Sequence, residues 1–363
     1  MVVTFPHMGN VYIGAKVLME ALGVDIIVPP LATDKAMEIG QSVSAEFICA
    51  PLKINIGNYI QSIEKGADTI LITGSNGPCR FGFYGVIEKE ILLDMGYDVE
   101  FIIFEAPEGD LGELIRRIQK ATQTKNIGKI AREIIKAQRI IVEVDRLERR
   151  MLHLEARELE KGTIRKIRKD FKTRVINQKG EKGIRELIRE THHRLDQSKI
   201  DRAYQPLRIG LVGEIYTLIE PYINLYIEEK IASLGVEVEH SLYIGNWLSE
   251  HLLYRPLGLT GERRIRRAAK PYLDRCIGGH AWETIGYAVD YCQKGFDGII
   301  QLLPFGCMPE IVAESILPTV QKDYDVPILT LVLDELTGET GYLTRIEAFI
   351  DLIQRRKERS VKL

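Results

Sequence analysis

At 363 residues, 45% of them hydrophobic, the chain is long enough for two α/β domains with cores of their own, and a lone small module is excluded. A net charge of −2 gives no global attraction for nucleic acid, which selects a strongly basic surface. No run approaches the ~20 apolar residues of a membrane span, and MVVTFPHMGN lacks the pattern of a signal peptide, so a cytoplasmic protein without membrane or nucleic-acid partners is expected.

In chain order, VVTF predicts a strand, followed by a helix near Val11–Leu22, the strand DIIVPP and a helix after Cys49. TILITGS, a helix near Gly82–Met95 and VEFIIFE continue a βαβ rhythm, which implies a parallel sheet. From about Gly109 to Ser198 the apolar spacing turns helical and Gly and Pro become scarce. After Pro206 the α/β rhythm returns with LRIGLVGEIY, a helix to Leu234, VEVEHSLYI, a helical stretch from about Trp247 to Cys276, a helix near Ala281–Gln293, GIIQLLP, a helix after Met308, PILTLVLD and a final helix over Leu343–Arg356. The expected fold is α/β: two doubly wound, flavodoxin- or Rossmann-like parallel-sheet lobes, residues 1–108 and 206–363, separated by a helical segment, 109–205, with the site in a cleft. In such sheets ligands bind beyond the carboxyl ends of the strands.

The five cysteines are an odd number, and in a reducing compartment they are expected as thiols or metal ligands rather than as a disulfide framework. Cys79 stands in TGSNGPCRFGFYG directly after a strand, where four glycines and a proline let backbone N–H groups approach a bound group. Cys307, in QLLPFGCMPE, again follows an apolar strand and opens a helix with Pro309 in its first turn. Cys49, in FICAPLKINIG, precedes a helix whose positive end favours anionic sulfur. A single cysteine is most often an inert buried hydrophobe, but three at equivalent turns weigh towards a shared metal site. Cys292, inside a helical pattern, keeps the inert reading, and Cys276, before Gly278, Gly279 and His280, is ambiguous between a fourth ligand and a supporting group. Neither a C-x-x-C zinc knuckle nor ferredoxin spacing occurs. Three thiolates from two lobes would leave one iron of a cluster open to solvent, substrate or a partner ligand.

Other residues admit two readings each. Arg80 would add positive charge beside Cys79. His7 and His280 stand at strand or loop ends, as proton donors or as surface hydrogen bonders. Glu214 and Glu310 are either ligand-facing carboxylates or charges favouring a helix N-terminus. Asp334, Glu335 and GETGYLTR could close the cleft. Residues 161–180, with eight Lys or Arg against one acidic residue, are a solvated helix face or a dock for an acidic partner or for phosphates.

Taken together, GNVYIGAKVLMEALG, CAPLKINIGNYIQSIEKGAD, GPCRFGFYG, VGEIY, IGGH, FDGIIQLLPFGCMPEIVA and DELTGETGYLTRIEAFIDL resemble the CoA-protein activases, relatives of the cluster-binding subunits of 2-hydroxyacyl-CoA dehydratases. The resemblance spans both lobes. It implies two flavodoxin-like lobes holding a [4Fe–4S] cluster through three cysteines, and the matching positions are Cys49, Cys79 and Cys307. It also implies a low-potential electron delivered by a separate actin-like ATPase activator, a CoA thioester or other small substrate, and a homodimer or heterodimer. The fused ATPase domain of many relatives is absent, as are G-x-x-x-x-G-K-[ST] and G-x-G-x-x-G, so the ATPase is expected as a partner. A related branch holds a double cubane on six thiolates; five cysteines could build one only with ligands shared between subunits or with a non-cysteine ligand. The expected function is an iron–sulfur component of that system, as a dehydratase-like lyase or a reductase. The alternatives are a non-catalytic electron carrier or cluster scaffold, and a metal-free two-lobe ligand-binding protein.

Overall fold

The computed structural model describes residues 1–74, 80–105, 110–250 and 263–361. β1 (Val2–Thr4), β2 (Asp25–Ile26), β3 (Thr69–Thr73) and β4 (Glu100–Phe104) form one parallel sheet in the order β2-β1-β3-β4. β5 (Arg208–Gly213), β6 (Glu237–His240), β7 (Gly298–Pro304) and β8 (Ile328–Leu333) form a second in the order β6-β5-β7-β8. Both orders are second-first-third-fourth, the doubly wound arrangement in which the switch point falls between the first and third strands. Register sets apolar residues side by side, Leu71 opposite Ile102 and Leu302 opposite Leu331. Strands covered on both faces need continuous apolar runs, and β7 is buried at all seven positions.

The helices follow local signals. Val11–Leu22 ends at Gly23 in the left-handed conformation, and Ala50–Ile63 begins at Cys49 with Pro51 in its first turn. Asp34–Val43 is a helix the periodicity did not anticipate; its mark in the sequence is Thr33, whose side chain caps the Ala36 N–H. The single helix expected after β5 is broken into Ile215–Ile219 and Ile227–Ser233. Pro221 lies in the break, and Leu225 and Tyr226 take positive φ. Of the stretch from Trp247 to Cys276, Ile244–Ser249 and Arg263–Ala269 bracket the helical parts, and 251–262 lie outside the described residues. The last helix starts earlier than expected, at Glu339–Val361.

The middle helices, Leu111–Ala121, Ile127–Glu155, Thr163–Val175 and Gly180–Asp196, separate the lobes in sequence but not in space. Val144, Leu147, Ile164, Phe171 and Leu187 share one buried core with Val3, Ile13 and Val17 of the first lobe. The lobes meet directly: Ala32, Met37, Ala50 and Ile54 pack into the core of the second sheet with Ile209, Leu211 and Leu302. Lys53, 2% exposed, crosses this junction to Glu335 Oε1 at 2.5 Å and also donates to the Glu46 carbonyl at 3.1 Å. Of the acidic pair after the last strand, Glu335 thus contacts the first lobe, whereas Asp334 is bonded to Thr337 in its own turn.

Candidate functional site

The carboxyl ends of β5 and β7 carry the centre of the site. β5 ends at Gly213, whose φ of 141° and whose approach to the Leu302 carbonyl leave no room for a Cβ, so the chain turns tightly into Glu214. β7 ends at Pro304, and three residues on Cys307 caps the helix Met308–Tyr324, with Pro309 in the first turn. From the first lobe, Cys49 caps Ala50–Ile63. Both cysteines line one small cavity of about 60 Å³, together with Arg80, Tyr84, Glu214 and Gly306. Two of the three sulfurs expected at the site thus face a common space although they come from different lobes.

Cys79, the third, lies outside the described residues. Arg80, which follows it in the chain, forms part of the cavity wall and anchors itself by donating to the Phe47 carbonyl at 2.8 Å. Cys292 is buried in the second lobe's core, and burial pushes its thiol up to about 12. Cys276 is exposed and is not among the residues around the cysteine cavity.

Neither Cys49 nor Cys307 caps its helix with a side-chain hydrogen bond. The Cys49 sulfur instead lies 2.7 Å from the Tyr84 hydroxyl, a buried contact with no local mark in the sequence. Burial raises the Cys49 thiol above its ordinary range; Glu214 adds to this, while the Tyr84 bond and Arg80 work against it. As a bare thiol it is therefore protonated and unreactive, and a bound cation would be needed to expel the proton.

Glu214 satisfies both of its readings: it lines the cavity, and its carboxylate accepts from the Thr217 N–H at 2.9 Å. Glu310 is fully buried, accepting from Thr284 Oγ1 and Gln301 Nε2 at 3.0 Å, and burial pushes its carboxyl up to about 8. Glu88, also fully buried and bonded by Asn55 Nδ2 at 3.1 Å, is likewise pushed up to about 8. His280 caps the helix Ala281–Gln293 and lines, with Gly213, Arg146, Trp247 and Tyr287, a neighbouring cavity of about 560 Å³. His7 lies apart from both cavities, paired with Glu220.

The donor set suits a soft-ligand metal group in kind, because thiolates select zinc, copper(I) and iron–sulfur centres. Among the described residues, no group of three His, Cys, Asp or Glu side chains is arranged to hold a metal ion. Comparison with protein-family models and with curated proteins gave no match.

Proposed function

We propose that this chain is an iron–sulfur redox protein that holds a [4Fe–4S] cluster through Cys49, Cys79 and Cys307, as a component of an ATP-dependent low-potential electron-transfer system of the 2-hydroxyacyl-CoA dehydratase type. One observation carries the reading: Cys49 and Cys307, each at a helix N-terminus of a different lobe, line one small cavity. Arg80, the residue after Cys79 in the sequence, is also part of the cavity wall. When bound, the cluster would supply one-electron chemistry and an iron without a protein thiolate.

The chain's own residues tune such a site. The Tyr84 hydroxyl can donate to the Cys49 sulfur, and the two helix N-termini present positive dipole ends, both of which favour anionic sulfur and raise a reduction potential. Glu214 opposes them with negative charge. The space at the cysteines is too small for an organic substrate, since drug-sized ligands need roughly 300–1,000 Å³. A CoA thioester or other small molecule would occupy the cavity lined by His280, which Gly213 and Glu214 separate from the sulfurs. The electron would come from a separate actin-like ATPase, in a homodimer or heterodimer assembly. No described helix is long and apolar enough to cross a membrane, and a cytoplasmic setting is part of the proposal.

A second reading, a metal-free two-lobe ligand-binding protein, draws on that same large cavity. Anaerobic purification with iron and acid-labile sulfide quantification separates the two. Roughly four irons and four sulfides per chain, lost in both Cys79→Ser and Cys307→Ser, support the cluster. A colourless, iron-free wild type after reconstitution overturns it. If iron is present, substrate-dependent turnover with an external reductant separates an enzyme component from an electron carrier.

A further inference from the structure

The loop that delivers Cys49 lies at the surface: Ala45, Glu46 and Phe47 are exposed, and full burial begins at Cys49 itself. Two cations hold this loop by consecutive carbonyls. Arg80 donates to the Phe47 carbonyl at 2.8 Å, and Lys53 donates to the Glu46 carbonyl at 3.1 Å. Lys53 stands one turn inside the helix Ala50–Ile63, so its ammonium reaches back past Cys49 and staples the incoming chain to the helix that this cysteine opens. The same ammonium bonds Glu335 of the second lobe at 2.5 Å. Glu335 sits in a braced turn, because Asp334 beside it accepts from the Leu336 N–H at 3.0 Å and from the Thr337 hydroxyl at 2.8 Å. An unbroken set of bonds thus runs from the turn after β8, through Lys53, to the backbone three residues before Cys49.

Stability alone does not call for a lysine at this position. The residue is 2% exposed, burial of an ammonium is costly, and a cation near a helix N-terminus opposes the macrodipole. A buried ion pair is weak evidence for stability, and its best-attested use is to fix register. What Lys53 supplies that an apolar side chain cannot is simultaneous donation to two acceptors, one in each lobe.

We propose that Lys53 is a positioning residue for Cys49: clamped by Glu335, it fixes the loop ahead of this cysteine to the second lobe, and so sets where the Cys49 sulfur stands in the cavity it shares with Cys307. This rests on the cysteine pair as the functional centre and assigns the placement of one sulfur to a junction outside it. The test is alkylation of the iron-free full chain with iodoacetamide, each cysteine's rate being followed by peptide mass spectrometry. Cys292, buried in the second lobe's core, reports any general loosening of the fold.

In Lys53→Met and, separately, in Glu335→Ala, Cys49 is expected to react roughly ten-fold faster while Cys292 keeps its wild-type rate. The double variant is expected to go no further than either single one, as two halves of one clamp require. Glu335→Gln, which keeps an acceptor for the ammonium, is expected to restore a rate near that of the wild type. Glu335 is the partly exposed member of the pair, so Glu335→Ala keeps the test open should Lys53→Met fail to fold. A Cys49 rate unchanged in both variants, or Cys49 and Cys292 rates that rise together, overturns the assignment. The rates are read without iron, so this failure is distinguishable from an iron-free wild type after reconstitution, which overturns the cluster alone.

Discussion

The two lobes share a strand order yet place different chemistry at matching points. In the first, the helix leading into the third strand starts at Cys49; in the second, the helix leading into β7 starts at His280. After the third strand the first lobe runs on to Cys79 and the second to Cys307. Topology therefore delivers helix N-termini to the carboxyl edges of both sheets, and the choice of side chain breaks the symmetry. Sulfur at Cys49 and Cys307 and imidazole at His280 go with a small cavity lined by the two cysteines and a large one lined by the histidine. Equivalent backbone does not imply equivalent function.

The sharpest way to break the comparison is to exchange the matched points. Cys307→Ser is expected to remove essentially all bound iron, whereas His280→Gln is expected to retain it, as iron quantification would show; equal loss in both would mean that imidazole belongs to the centre. Next in size is the junction itself. Lys53→Met removes the buried partner of the partly exposed Glu335 carboxylate and is expected to cost about 1–3 kcal/mol in urea unfolding.

Each lobe also has a carboxyl with no exposed surface, Glu88 in the first and Glu310 in the second, both raised from an ordinary 4.5 to about 8 by burial. Because the folded state holds these protons and the unfolded state releases them, their contribution is fully present below about pH 4.5 and is lost as pH rises through 8. Glu88→Gln is expected to remove a slope of roughly 1.4 kcal/mol per pH unit across that window, measured by denaturation at several pH values. Glu310→Gln should flatten the same slope with less than about 1 kcal/mol of other change, because its amide oxygen can accept from Gln301 Nε2 while its NH2 donates to Thr284 Oγ1. The smallest effect is expected at Tyr84→Phe: about 1 kcal/mol of stability, with the potential of the proposed cluster lowered by loss of the hydrogen bond at Cys49.

Much of the fold was legible because its signals are local. Apolar runs marked β3, β5 and β7, and Pro after a cysteine marked two helix starts. The break after Ile219 was visible as Pro221 but outweighed by the apolar spacing on either side. At the site, Cys49 and Cys307 could be picked out because strand-to-helix turns have a sequence signature. Tyr84, Glu220 and Lys53 could not, since their roles depend on partners that only tertiary packing supplies: Tyr84 on Cys49 of another helix, Glu220 on His7 and Lys53 on Glu335 of the opposite lobe. Burial has no local signature when the residue itself is polar.

The core that joins the first lobe to the middle helices bears on how the chain is made. Its first sheet is complete at Phe104, but Phe171, Ile184, Leu187 and Leu195, which share its core, emerge from the ribosome only later. At roughly 5–20 residues per second, synthesis leaves the nascent sheet's apolar face uncovered for about 5–20 s. Its parallel strands must pair in this interval or wait, and a chaperone that shields apolar surface would act at this stage rather than on the finished second lobe. A chain arrested before residue 195 would present that surface to its neighbours and aggregate.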